Sequence, residues 1–221
     1  GVTSVGTRAF YSAPALTTVT LESGVTTVGD RSFMLCESLT DITMASSVTT
    51  FVASPFQACS SLEQLTIPSG TTTIPADFCH GCTSLQAIVI PDTVITVASE
   101  AFKACTSVVG TLTIPDSVTS VGASAFEGCS GITEVIMGSA VATMASSSFA
   151  ACPAITTLDL RSQAIVGAAY IPLKMECLNN IAVGAADEWV IVSFSQPFDA
   201  PLVVVCTPQY DVGSRPLIAR V

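Results

Sequence analysis

The sequence predicts a repeat solenoid, and three features that recur together predict it. A cysteine returns at Cys36, Cys59, Cys82, Cys105, Cys129 and Cys152, with gaps of 23, 23, 23, 24 and 23 residues. Three residues before these marks, or one period earlier, stands Phe10, Phe33, Phe56, Phe102, Phe126 or Phe149. Three residues after them stands Leu39, Leu62, Leu85, Val108, Ile132 or Ile155. Self-similarity at a period of about 20–50 residues marks stacked repeats, in which one unit cannot bury its own apolar edge and its neighbours do so.

Each unit reads as three parts. The first, at 16–21, 39–44, 62–67, 85–90, 108–114, 132–137 and 155–160, alternates apolar residues in its second half and is expected to be a short strand. Pro68, Pro91 and Pro115 follow directly and stop the strand, because proline has no N–H for a ladder. The second part is a V-x-x-V segment, such as Val25/Val28 and Val118/Val121, after which Gly6, Gly29 and Gly122 are expected to turn the chain. The third part, such as 123–129, brings Ala, Phe and Cys together and is expected to form a single helical turn plugging the coil. The 24-residue unit holds one extra residue near Gly110, read as a local bulge. In the fourth unit Cys79 takes the aromatic slot and Phe78 is displaced by one.

The repeats occupy 1–160. Residues 161–187 lose the pattern and read as a cap or linker. Residues 188–221 read as the start of a β-rich domain that continues beyond the chain, with strands expected from Glu188, over 202–206 and over 216–221. The chain opens inside a repeat, so further sequence is expected upstream.

Composition narrows the function. The chain carries a formal charge of −10, and residues 1–160 hold only Arg8, Arg31 and Lys103 against twelve acidic residues. Nucleic acid binding rests on neutralising phosphates and needs a basic stripe, which is missing. Anionic membrane surfaces are disfavoured for the same reason. No apolar run approaches the ~18 residues of a membrane span. The six phase cysteines sit beside Phe and Leu and read as packed free thiols.

The run I-P-D-S-V-T-S-V-G-A-S-A-F-E-G-C-S-G-I-T-E-V, residues 114–135, resembles the BspA-like class of leucine-rich repeats. The resemblance covers about seven repeats. It implies a leucine-rich-repeat solenoid with parallel strands on a concave face, and membership of a group of surface or secreted proteins of bacteria, protists and some large viruses that act in adhesion and recognition. The chain lacks the Asn ladder of other leucine-rich repeats, Asn179 and Asn180 being its only asparagines. From Trp189, W-V-I-V-S-F-S-Q-P-F-D-A-P-L-V-V-V is similar to the opening strands of an H-type lectin domain. No sugar-binding residue carries over, because those strands would lie beyond Val221.

Cys79-His80-Gly81-Cys82 has the spacing of a metal-ligand or redox pair. Zinc normally takes four ligands from two separated pairs, and no second pair exists. A redox C-x-x-C opens a helix after a strand, which the repeat does not offer. Packing is the favoured reading: Cys82 is the phase cysteine and Cys79 replaces Phe. His80 is the only histidine and lies on an expected turn, so neither a catalytic triad nor a metal site is expected, and no cofactor is implied. No phosphate-binding glycine motif occurs.

The remaining candidates are rows of outward side chains. One concave row reads Thr20, Thr43, Thr66, Val89, Thr113, Ile136, Asp159, and its neighbour reads Thr18, Asp41, Gln64, Ala87, Thr111 (or Gly110), Glu134, Thr157. The binding residues expected from these are Asp41, Thr43, Gln64, Thr66, Thr113, Glu134 and Asp159. Aligned threonines also simply suit solvated strands, and a second Thr row on the V-x-x-V face leaves ice binding as a further alternative. The expected function is a non-enzymatic extracellular or cell- or virion-surface module binding protein or glycan on a host, a matrix or a neighbouring subunit. The alternative is a structural repeat that self-associates into a filament, sheath or capsid-like surface.

Overall fold

The computed structural model describes residues 1–159 other than Ser146, together with Val203–Val205. The chain coils about seven times, and a circuit typically lays down one strand on each of two faces, the fourth unit lacking one of them. In chain order the first seven are β1 (Ser4–Val5), β2 (Thr18–Leu21), β3 (Thr27–Val28), β4 (Asp41–Met44), β5 (Thr50–Phe51), β6 (Gln64–Leu65) and β7 (Thr73–Ile74). The others are β8 (Thr96–Val97), β9 (Val109–Thr113), β10 (Ser120–Val121), β11 (Gly131–Ile136), β12 (Thr143–Met144), β13 (Thr157–Asp159) and β14 (Val203–Val205). Every pairing is parallel. Parallel pairing is forced, since equivalent residues one period apart must face each other, as Thr27 faces Thr50.

Two faces result. The longer strands form β2-β4-β6 and β14-β13-β11-β9; the shorter ones form β1-β3-β5 and β12-β10-β8-β7. Both faces are broken around the fourth unit, and on the short-strand face proline supplies a reason. On the short-strand face Val52 N–H donates to Val28 O at 2.9 Å and Ala98 N–H to Ile74 O at 2.9 Å. The residue in that slot between them is Pro75, which has no proton for Phe51 O. On the long-strand face Ala45 N–H donates to Leu21 O at 2.9 Å, and the next three units hold Pro68, Pro91 and Pro115 there. The strand expected at 85–90 does not form, although Gln86 N–H still reaches Glu63 O at 3.0 Å; the prolines alone do not decide this, since β4 pairs with β6 despite Pro68. The register shift lies between Ile132 and Glu134, opposite Gly110, whose φ is +83°. That is where the extra residue places a bulge, and it puts Thr111, not Gly110, opposite Glu134.

The third part of each unit is a run of β-turns and not the expected helical turn; no helix occurs among the described residues. Bonds from i to i−3 are present, as from Cys36 N–H to Phe33 O (3.2 Å) and from Leu39 N–H to Cys36 O (3.0 Å). Left-handed residues interrupt them at two fixed places: Arg31 (φ 50°) and Leu35 (62°) in one unit, Glu100 (57°) and Ala104 (59°) in another. These conformations aim alternate N–H groups at the next coil. Arg31, Phe33 and Leu35 donate to Ala53, Pro55 and Gln57 at 3.0, 2.9 and 2.9 Å. A left-handed non-glycine residue costs about 1–2 kcal/mol, and the cross-coil bonds offset it. Gly29 and Gly122, expected to be turn glycines, serve close coil contact instead. A Cβ would come within 2.7 Å of Val5 O and 2.5 Å of Ser99 N.

The core is made of aligned files. Phe33, Phe56, Phe102 and Phe126 are buried, and rings stack from Phe10 to Phe33 to Phe56 and from Phe102 to Phe126 to Phe149 at 5.1–5.8 Å. Phe78 fills the gap from one position away and meets Phe56 and Phe102 edge-on, at 84° and 76°. Beside this file all seven described cysteines are buried and free. Each phase thiol donates to the carbonyl three residues before the preceding mark, from Cys36 to Phe10 (3.0 Å) through to Cys152 to Phe126 (3.1 Å).

Of the expectations for the tail, only part of 202–206 lies among the described residues. Val203–Val205 is a strand and adds to β13 in parallel, pairing Thr157 with Val203. The expected cap at 161–187, the strands from Glu188 and over 216–221, Trp189, Cys177 and Cys206 lie outside them.

Candidate recognition face

On the long-strand face the alternation of the strand turns every second side chain to solvent, and the 23-residue period lines these up along the axis. Thr18, Asp41 and Gln64 are register partners, as are Thr111, Glu134 and Thr157. Asp41, Thr43, Gln64, Thr66 and Thr113 are exposed, while Glu134 and Asp159 are half-buried. The face therefore presents all seven expected residues, but in two groups. Asp41, Thr43, Gln64 and Thr66 lie on the first three coils, and Thr113, Glu134 and Asp159 on the last three. Between them Ala87 and Val89 make an exposed apolar step where the strand is missing.

Local polar contacts organise each group. Thr43 donates to Asp41 Oδ2 at 3.3 Å, and Thr111 donates to Glu134 Oε2 at 2.7 Å across neighbouring coils. Thr40, Asp41, Glu63 and Gln64 line a shallow depression. The depression thus holds two carboxylates and no base. Among the described residues the basic side chains Arg8, Arg31 and Lys103 all stand in the turn segments, away from these strands. The face is acidic and suited to hydrogen bonding.

The Cys-His-Gly-Cys stretch resolves into two separate environments. Cys82 donates to Phe56 O at 3.2 Å inside the core, and burial raises the Cys79 thiol far above its ordinary value. His80 points outward into a polar cluster that sequence reasoning missed. Its Nδ1 lies 3.0 Å from Asp77 Oδ1, 3.5 Å from Glu100 Oε2 and 3.5 Å from Gln57 Nε2. Lys103 Nζ is 3.5 Å from Glu100 and 3.3 Å from Glu127. Desolvation pulls its pKa down, but the bonds to Glu127 and Glu100 outweigh that and raise it. The Glu127 carboxyl is lowered, first by the Ser124 hydrogen bond and then by Lys103. The signal was present: Asp77 and Glu100 share one repeat position, and Gln57, His80 and Lys103 share another.

A stack of short parallel strands with a leucine, phenylalanine and cysteine core defines a leucine-rich-repeat solenoid with an open polar strand face. The chain belongs to the BspA type leucine rich repeat family, whose profile matches residues 1–109 and 108–182 in six copies. Proteins of this family are often surface proteins that take part in protein interaction. The fold is similar to the pneumococcal vaccine antigen PcpA, at 16% identity and TM-score 0.53, over 72% of this chain and 48% of that one. Further similar structures are the T. pallidum leucine rich repeat protein (25% identity, TM-score 0.48, 71% of this chain and 62% of that one) and a leucine rich cell surface protein from Faecalibacterium prausnitzii (23%, 0.42, 73% and 58%). The chain thus spans less than two thirds of each of these structures. No curated protein matches the chain. No helix of the described residues is long and apolar enough to cross a membrane.

Proposed function

We propose that this chain is a non-enzymatic recognition or adhesion module, displayed on a cell or virion surface or secreted, that binds protein or glycan through the concave long-strand face. The observation that carries the reading is the exposure of Asp41, Thr43, Gln64 and Thr66 on the first group of long strands and of Thr113 on the second. Family membership supports the location and the class of role. The face has no Trp, Tyr or Arg, the residues in which binding hot spots are richest. Affinity is accordingly spread over area and becomes useful when many copies act together. The step from fold to role rests on analogy with the family.

A screen of the multimerised chain against glycan and host- or matrix-protein arrays tests this. Selective binding that weakens with added salt is the expected outcome, because the face is acidic and exposed charges are screened. A chain that binds nothing on such arrays but sediments as extended polymers of itself would replace recognition by the structural role.

A further inference from the structure

We propose that Asp77, His80 and Glu100 form a zinc site on the turn side of the solenoid, one that staples the fourth coil to the fifth. The donor atoms of these three residues lie within 4.8 Å of one another. Two of the separations, 3.0 Å from His80 Nδ1 to Asp77 and 3.5 Å to Glu100, bracket the ligand-to-ligand spacing of about 3.3 Å around a tetrahedral ion with bonds of ~2.0–2.1 Å.

Hydrogen bonding alone accounts poorly for this crowd. A ring nitrogen carries one proton, yet two carboxylates and the Gln57 amide converge on the same Nδ1. One cation between them satisfies both carboxylates and takes the Nδ1 lone pair, leaving Nε2 to carry the proton. The Gln57 amide oxygen supplies a fourth ligand once the side-chain amide is turned over, since its two ends are interchangeable in shape. An imidazole nitrogen with carboxylate oxygens suits zinc or its divalent neighbours, whereas calcium prefers oxygen throughout. The nearby thiols are not part of it, because Cys82 faces the core and is bonded to Phe56 O.

Among the described residues Lys103 is the opposing charge at this cluster. It lies 3.5 Å from Glu100 but nearer to Glu127, at 3.3 Å, and it keeps that partner when the ion takes Glu100. The backbone beneath the cluster is fixed by Ala58 N–H to His80 O at 2.8 Å and Asp77 N–H to Ser99 O at 3.1 Å. The site also lies beside the interrupted sheets, with Gln57 across the β5–β7 break and Glu100 across the paired β7–β8 junction. Pro75 breaks the short-strand face between β5 and β7, and the missing strand at 85–90 breaks the other. Gln57, His80 with Asp77, and Glu100 belong to the three coils on either side of those breaks.

Titration of the reduced, full chain with Co2+ tests the proposal, since cobalt reports its own ligands. The expected result is one ion per chain, visible d–d bands without thiolate charge-transfer absorption, and a Zn2+-dependent rise in melting temperature. His80→Ala, folded by circular dichroism, should weaken binding by more than about tenfold, as loss of even a supporting group does at metal sites. Lys103→Ala should tighten it by removing the competing cation, a readout that does not depend on the first variant. Absence of binding, thiolate bands, or binding unchanged in His80→Ala would overturn the assignment.

Discussion

The thiol of Cys105 donates to the carbonyl oxygen of Cys79 at 3.2 Å, the same bond that Cys129 makes to Phe102 and Cys59 makes to Phe33. The acceptor is thus a backbone slot, and it survives the replacement of Phe by Cys in the fourth unit. A cysteine suits the mark because it is small, apolar and able to donate one weak bond to a carbonyl that water cannot reach. The periodic cysteines are hydrogen-bonding core residues.

Protection of these thiols follows. The six phase cysteines should be unpaired and inert to an alkylating reagent in the folded chain, and should all react once it is denatured. Parallel neighbours about 5 Å apart are within disulfide range by distance but not readily by torsion. Intact mass after alkylation without reductant gives the count, and a folded chain that has lost two protons per cysteine pair would contradict it.

The same burial makes the fold sensitive to alkali. Desolvation raises the thiols of Cys59 and Cys79, and that of Cys152 to about 12, while Cys129 is pushed up by the neighbouring Cys105 thiol and then by burial. Their ordinary value is 9.0. Raised thiol values contribute stability that is complete below 9 and is lost as pH climbs toward the folded values. Each such thiol therefore removes about 1.4 kcal/mol per pH unit above ~9. Denaturant midpoints measured from pH 7 to 11 should be flat at first and then fall steeply; a flat profile to pH 11 would show that the thiols are solvated.

Phe126 stacks on Phe102 at 5.6 Å and on Phe149 at 5.1 Å. Phe126→Ala should cost about 3–5 kcal/mol, since neighbouring coils cannot move in to fill the space. Phe78→Ala should cost as much, although its residue is out of phase, because its ring fills the same file. Without added metal, His80→Ala should cost far less. Chemical denaturation of the three variants checks the order.

Pro75→Ala restores an N–H opposite Phe51 O. The new bond is worth about 1 kcal/mol, and losing proline's restriction of the unfolded chain removes about 0.4–1. Overall stability should barely change, while amide exchange at position 75 becomes slow. Fast exchange there would mean that something other than the missing proton separates β5 from β7.

The period was legible because Cys, Phe and Leu return together at spacings that only stacking explains. The turn geometry was not. Ala-Phe-Cys spacing fits a helical turn as well as a run of β-turns, and the left-handed residues that decide between them include Arg31, Asp77 and Glu100, none of which advertises that conformation as glycine would. The rows on the strand face could be read off the alternation, down to Asp41, Gln64 and Glu134. The gap at 85–90 could not, because its alternating Ala87, Ile88, Val89 and Ile90 look more strand-like than their neighbours. The cluster around His80 draws its members from three coils, so local spacing around the histidine pointed instead to Cys79 and Cys82.

The claim that matters most is that recognition belongs to the long-strand face. Gln64→Lys adds a positive charge to the first polar group of that face and Glu134→Lys inverts one in the second, while neither touches a core residue. Binding of the multimerised double variant to whatever partner the wild-type chain captures should fall by at least about tenfold, a change of about 1.4 kcal/mol, with the melting temperature unchanged. Undiminished binding by a folded double variant would contradict the account and move the search to the residues from Trp189 onward.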